Sequence, residues 1–147
     1  MIGLNLLLAL HLIGVVAWVG GMAFALLVLR PSLAVLEPPQ RLALHREVFR
    51  RFFRMIWHVM PLVLLSGYAM LFGYLGGFAH AAWPVHVMHL LGLVMAVVFL
   101  AIYFGPWRAM RQAPSAEAVG RIRRLVMVNL LLGVLTLIIA AFAAFAV

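Results

Sequence analysis

The basic residues of this chain occupy only two segments, and this distribution constrains the fold more than any other feature. All eleven are Arg, whereas the N-terminus, the segment from Gly73 to Trp83 and the C-terminus contain none. Membrane proteins concentrate basic residues in cytoplasmic loops, so this alternation predicts several bilayer crossings with both clusters in the cytoplasm. The clusters comprise Arg30, Arg41, Arg46, Arg50, Arg51 and Arg54, and Arg108, Arg111, Arg121, Arg123 and Arg124.

Composition agrees with this interpretation. Apolar residues make up 68% of the chain and charged residues 10%, whereas a soluble domain has roughly 45–50% apolar and about 25% charged residues. The net charge of +8 would suggest a nucleic-acid partner for a soluble protein. Here the positions of the Arg residues indicate that the charge sets the membrane topology and faces anionic lipid headgroups. We therefore expect no nucleic-acid partner. The absence of Cys excludes disulfides and thiolate metal sites.

A transmembrane helix needs about 20 apolar residues, and the chain offers four such segments. The predicted spans are residues 2–29, 55–75, 84–105 and 125–147, joined by basic cytoplasmic loops at residues 30–54 and 106–124. Within the first loop, residues 40–54 form a basic amphipathic stretch that we place in the membrane interface. The predicted fold is all-α: a single four-helix transmembrane domain over residues 1–147, in the bacterial inner membrane with both termini on the periplasmic side.

Histidines within the spans are functional candidates because ionisable groups are costly in lipid. His11 and His89 each lie nineteen residues before the first Arg that follows their span. At ~1.5 Å per residue, both are roughly 28 Å from the cytoplasmic edge and therefore level with each other. His86 is one turn further out on the same face as His89. His58 lies close to the cytoplasmic edge, and we interpret it as structural, with metal binding as the weaker alternative.

Small residues line the helix faces below these histidines. Such faces either let helices approach closely or leave room for a flat ligand. Two imidazoles that meet at one height across a narrow gap suit axial ligation of haem iron. The alternative is that the small residues serve packing alone. The stripe of the first span contains His11, Gly14, Trp18, Gly21 and Ala25, and that of the third span contains His89, Gly92 and Ala96.

The first span also carries a distinctive motif, LHLIGVVAWVGGM from Leu10 to Met22, followed by Leu-Arg-Pro. It resembles the CopD-like family of bacterial inner-membrane proteins, and it is similar to the HemJ-type protoporphyrinogen oxidases. The resemblance implies a helical bundle and, in the HemJ relatives, haem b bound through histidines of the first and third helices. His11 matches the first of these and His86 the second, whereas Met88 replaces the Lys of the HemJ motif. Both His86 and His89 therefore stay open as the second ligand.

These observations lead to a main hypothesis and several alternatives. The main hypothesis is a b-type haem protein that transfers electrons to quinone or to a periplasmic redox partner, with Trp18, Gly14 and Gly92 against the macrocycle. The first alternative is copper binding or transport of the CopD type, because imidazole and thioether groups such as Met88 suit copper. A HemJ-like oxidase and a scaffold subunit are further alternatives. Whether the chain is an enzyme is left open, and the small size favours a homodimer.

Overall fold

A computed structural model of the chain describes residues 2–143, and these residues form helices and no strand. Four helical segments in this part of the chain are long and apolar enough to cross a membrane, and the third runs over Trp83–Gln112. This confirms the predicted all-α transmembrane fold. The last predicted span extends to residues 144–147, which lie outside the described residues. The helices are α1 (Ile2–Val35), α2 (Pro38–Gly73), α3 (Trp83–Phe104), α4 (Pro106–Gln112) and α5 (Ala116–Ala143).

Helix α1 continues beyond residue 29, where the Arg-Pro pair was expected to end it. Two wider π-helical turns interrupt its α-helical geometry, at Val16–Gly20 and Phe24–Leu29, and a 3-10 turn at Leu33–Val35 closes it. Pro31 is the second residue of the short α-helical segment Arg30–Ser32, which follows the second π turn. Proline is tolerated in the first turn of a helical segment because its missing N–H has no intrahelical partner there. The helix therefore passes through the proline.

Helix α2 begins at Pro38, well before residue 55, where we placed the start of the second span. A capping box forms its N-terminus, in which the Glu37 N–H donates to the side-chain oxygen of Gln40 over 3.2 Å. The basic amphipathic stretch and the second span are thus one continuous helix. Hydropathy alone does not predict this continuity, because the first part of the helix is rich in charged residues. Helix propensity agrees with it, since Arg, Leu and Glu are all good helix formers.

The segment predicted as the second basic loop also contains helical structure. Gly105 separates α3 from the short helix α4, and the Ser115 hydroxyl accepts a hydrogen bond from the Ala118 N–H (3.1 Å) at the start of α5. Within α4, Trp107 and Met110 are fully buried. The apolar side of α4 therefore closes the core where a solvated loop was expected.

The helices pack mainly as two sequential pairs, α1 on α2 and α3 on α5. A short turn joins the pairs, and positive φ angles at Gly76 (73°) and Gly77 (81°) suit glycine. A guanidinium nitrogen of Arg46 donates to the Arg111 carbonyl over 3.3 Å, so the two Arg clusters lie at the same end of the bundle. We call this the arginine-rich end. The opposite end, which carries the Gly76–Gly77 turn, is the histidine-bearing end.

Near the arginine-rich end, an aromatic cluster ties α2, α3 and α4 together. The rings of Phe53 and Trp107 meet edge to face with centroids 5.4 Å apart. The Arg111 guanidinium lies 5.4 Å from the centroid of Tyr103. Each edge-to-face pair contributes about 0.5–1.5 kcal/mol beyond area burial. The cluster comprises Phe49, Phe53, Trp57, Phe99, Tyr103 and Trp107.

Trp107 is 2% exposed, whereas Trp83 is 58% exposed. We expect Trp107→Ala to lower the free energy of unfolding by about 3–5 kcal/mol, because it removes a large side chain from a packed core. Trp83→Ala is the matched control and should have a much smaller effect. Denaturation in detergent micelles measures both, and equal effects would contradict a core that includes α4.

Candidate functional site

His11 is held by α2. Its Nδ1 lies 2.9 Å from the Val63 carbonyl oxygen and 3.0 Å from the Ser66 hydroxyl oxygen. A carbonyl can only accept a hydrogen bond, so Nδ1 carries the proton and donates it. The Ser66 hydroxyl in turn donates to the Leu62 carbonyl over 2.7 Å. This arrangement leaves Nε2 of His11 as the unprotonated ring nitrogen.

The small-residue stripe of α1 also faces α2. A Cβ atom added to Gly14 would lie 2.5 Å from a methyl group of Val63, and one added to Gly21 would lie 2.6 Å from the ring of Phe52. Trp18, on the same stripe, is buried in the core. The stripe therefore allows the two helices to approach closely, as in the packing alternative.

At the histidine-bearing end, His86 and His89 pack around Phe78. The ring centroid of Phe78 is 5.8 Å from that of His86 and 5.0 Å from that of His89. Nε2 of His86 lies 3.2 Å from the Ala81 carbonyl oxygen, and Nε2 of His89 lies 3.4 Å from the Tyr68 hydroxyl oxygen. His86 is exposed and His89 is half-buried. We call these two residues the histidine pair.

His11 and His89 contact different faces of α2. Ser66 and Tyr68 are their respective partners, and residues two apart on an α-helix point about 200° apart around its axis. These contacts attach the two imidazoles to α2 rather than to each other. In residues 2–143, no group of three or more His, Cys, Asp or Glu side chains converges as a metal site. The facing pair of axial ligands expected between the first and third spans is thus not formed by these contacts.

The remaining candidates are dispersed. Nδ1 of His58 lies 2.9 Å from the Arg54 carbonyl oxygen, one turn earlier on α2, and the side chain is exposed. Met88 is half-buried, and a Cβ on Gly92 would meet no atom within 4 Å among the described residues. Asn129 is 1% exposed, and its side-chain oxygen has no hydrogen-bond partner in the part of the chain that the structure describes.

Sequence reasoning missed Tyr68 and Phe78, which support the histidine pair. The sequence nevertheless contains a pattern that could have predicted both residues. Helices α2 and α3 are joined by a short turn around Phe78, and residues at similar distances from such a turn come level with each other. Tyr68 lies ten residues before Phe78 and His89 lies eleven after it. Pairing the two helices about this centre would have identified their contact.

The pattern of the copper resistance protein D family, CopD, matches residues 46–143. The chain belongs to the CopD family. The match covers most of α2 and all of α3, α4 and α5. It confirms the CopD resemblance, although the motif that suggested it lies in α1, outside the matched residues. No curated protein and no solved structure matches the chain. The likeness of this CopD-family protein to the HemJ-type oxidases stays a prediction.

The close approach of α1 and α2 can be tested with glycine substitutions. Gly14→Ala should lower the free energy of unfolding by about 1–3 kcal/mol, because the added methyl group overpacks the contact with Val63. Gly92→Ala is the matched control on α3, where the same methyl group enters open space. Thermal unfolding in detergent measures the difference. A destabilisation by Gly92→Ala larger than that by Gly14→Ala would contradict this packing.

Proposed function

We propose that this CopD-family membrane protein handles copper ions and that the histidine pair supplies the copper ligands. The observation that carries the proposal is the convergence of His86 and His89 on Phe78 at one end of the bundle. Imidazole is a good ligand for copper, and thioether sulfur selects Cu(I). Met88 lies between the two histidines in sequence and is the nearest thioether along the chain.

The hydrogen bond of His86 supports this role. Because Nε2 of His86 donates to the Ala81 carbonyl, Nδ1 is left with a lone pair for a metal ion. Metal-binding histidines commonly use one ring nitrogen for the metal and the other for a carbonyl partner, which fixes the orientation of the ring. The exposed His86 would meet a copper ion first, and the half-buried His89 would hold it deeper.

The ligand types also select among metals. The acidic residues of the chain are Glu37, Glu47 and Glu117, and all three lie toward the arginine-rich end. A site at the histidine-bearing end would therefore have nitrogen and sulfur donors without carboxylates. Hard cations such as Mg²⁺ and Ca²⁺ prefer oxygen ligands, whereas copper accepts nitrogen and sulfur.

The distribution of charge predicts on which side of the membrane the histidine pair lies. Arg-rich segments favour the cytoplasmic side of a bacterial inner membrane. With the arginine-rich end in the cytoplasm, the histidine pair lies on the periplasmic side. Copper would then be exchanged with the periplasm.

Haem binding through His11 is the second candidate. The hydrogen bond from Nδ1 to the Val63 carbonyl leaves Nε2 free, and this is the usual arrangement of an imidazole that ligates a metal. The contacts of His89 supply no facing second ligand, so His11 would be the only histidine on the iron. A haem bound there would supply one-electron chemistry, with quinone or a periplasmic protein as the redox partner.

Copper content and the visible spectrum of one preparation test both candidates. We expect protein loaded with Cu(I) in mild detergent to retain stoichiometric copper. His86→Ala and His89→Ala should each weaken copper binding about tenfold or more, because each removes a ligand. His58→Ala is the matched control at the other end of the bundle and should bind copper as the wild type does.

Two results would contradict the copper proposal. One is a colourless protein that retains no copper. The other is copper binding that neither His86→Ala nor His89→Ala changes. A haem Soret band that His11→Ala removes would instead support the second candidate.

A further inference from the structure

An apolar groove lies between α1, α2 and α5 near the arginine-rich end, remote from the histidine pair. Its volume is about 240 Å³, and its lining is apolar, with Phe24 and Leu29 from α1, Phe49 and Phe52 from α2, and Val126 from α5. Ligand pockets for drug-sized molecules usually measure about 300–1,000 Å³. The groove is therefore too small for a flat macrocycle and suits a segment of a single hydrocarbon chain.

Three basic residues lie beside one part of the groove. A smaller adjoining pocket shares Leu29, Phe49 and Val126 with it and adds Arg30, His45 and Arg123 to the lining. Among the described side chains, the ion pairs join Glu47 to Arg50 and Arg51, and they leave Arg30 and Arg123 without a carboxylate partner. Two Arg side chains beside the apolar groove are therefore available to bind an anion.

The backbone of α1 is unusual at the same place. The π-helical turn Phe24–Leu29 contributes Phe24, Ala25 and Leu29 to the groove. Single π turns within α-helices are uncommon and are frequent at functional sites. The α1 wall of the groove is therefore formed by a locally widened stretch of helix.

We propose that this groove is a specific site for one anionic phospholipid. An acyl chain occupies the apolar channel, and the phosphate is held by Arg30 and Arg123, with His45 beside the same part of the groove. This site is independent of the copper proposal and involves none of its residues.

Charge and shape together identify this occupant. A guanidinium group forms strong, paired hydrogen bonds with phosphate oxygens. The apolar groove lies beside these charged groups. A ligand that satisfies both must carry an anionic headgroup joined directly to a hydrocarbon chain. A zwitterionic lipid would bring a positive charge to the same part of the groove, and a free phosphate ion would leave the channel empty.

Native mass spectrometry of the whole chain in detergent tests the proposal, with dioleoyl phosphatidylglycerol and dioleoyl phosphatidylcholine as probes. We expect one phosphatidylglycerol molecule per chain to be retained under conditions that remove phosphatidylcholine. The double variant Arg30→Gln/Arg123→Gln should weaken this retention by about thirtyfold, since each Arg contributes to attraction of the anionic lipid.

Two further variants separate the site from general charge. Arg54→Gln/Arg124→Gln removes the same charge from α2 and α5 at exposed positions outside the groove lining, and it should retain the lipid. Ala25→Phe keeps both Arg residues but fills the channel, and it should lose the lipid; Ala25→Leu replaces it if the larger side chain prevents folding.

Three outcomes would overturn the proposal. They are equal loss of lipid in the two double Arg variants, equal retention of phosphatidylcholine and phosphatidylglycerol by the wild type, and full retention after the channel is filled. A retained inorganic phosphate without lipid would likewise contradict a site for an amphiphile.

Discussion

The contact between α1 and α2 determines the arrangement on which the other features depend. The imidazole of His11 donates to the Val63 carbonyl, and Gly14 lets the two helices approach so closely that a methyl group would collide with Val63. Because lipid offers no hydrogen bonds, a polar group buried in a span gains most from a partner on a neighbouring helix. This contact therefore sets the direction of His11 and the rotation of α1. Toward the arginine-rich end, the same two helices line the groove together with α5.

The chemistry of the molecule is divided between its two ends. Imidazoles collect around Phe78 at the histidine-bearing end, whereas guanidinium groups and the groove lie at the other. The aromatic cluster fills the core near the arginine-rich end and links α2 to α3 and α4, with which α2 makes few other contacts. A copper site and a lipid site at these positions would act on different sides of the membrane without sharing a residue.

The transmembrane fold could be predicted from sequence because hydropathy and the positions of the Arg residues are local properties. The early start of α2 and the presence of α4 could not be predicted in this way, because hydropathy does not detect charged helical segments that continue beyond the bilayer. The stripe from His11 to Ala25 was identified as one face of a helix, but periodicity does not specify which neighbour covers it. The partners of His11 and His89 lie on α2, fifty-two and twenty-one residues away in sequence, so only the tertiary arrangement reveals them.

Disulfide formation between introduced cysteines tests the position of α1 most directly, because the chain has no cysteine of its own. In membranes, a variant carrying Gly14→Cys and Val63→Cys should form an intrachain disulfide under mild oxidation, and it should then fail to react with maleimide after unfolding in SDS. A variant carrying Gly14→Cys and Gly92→Cys should keep both thiols reduced, so that both react with maleimide after the same unfolding. The opposite result, a disulfide to position 92 and none to position 63, would place α1 against α3 and contradict the account.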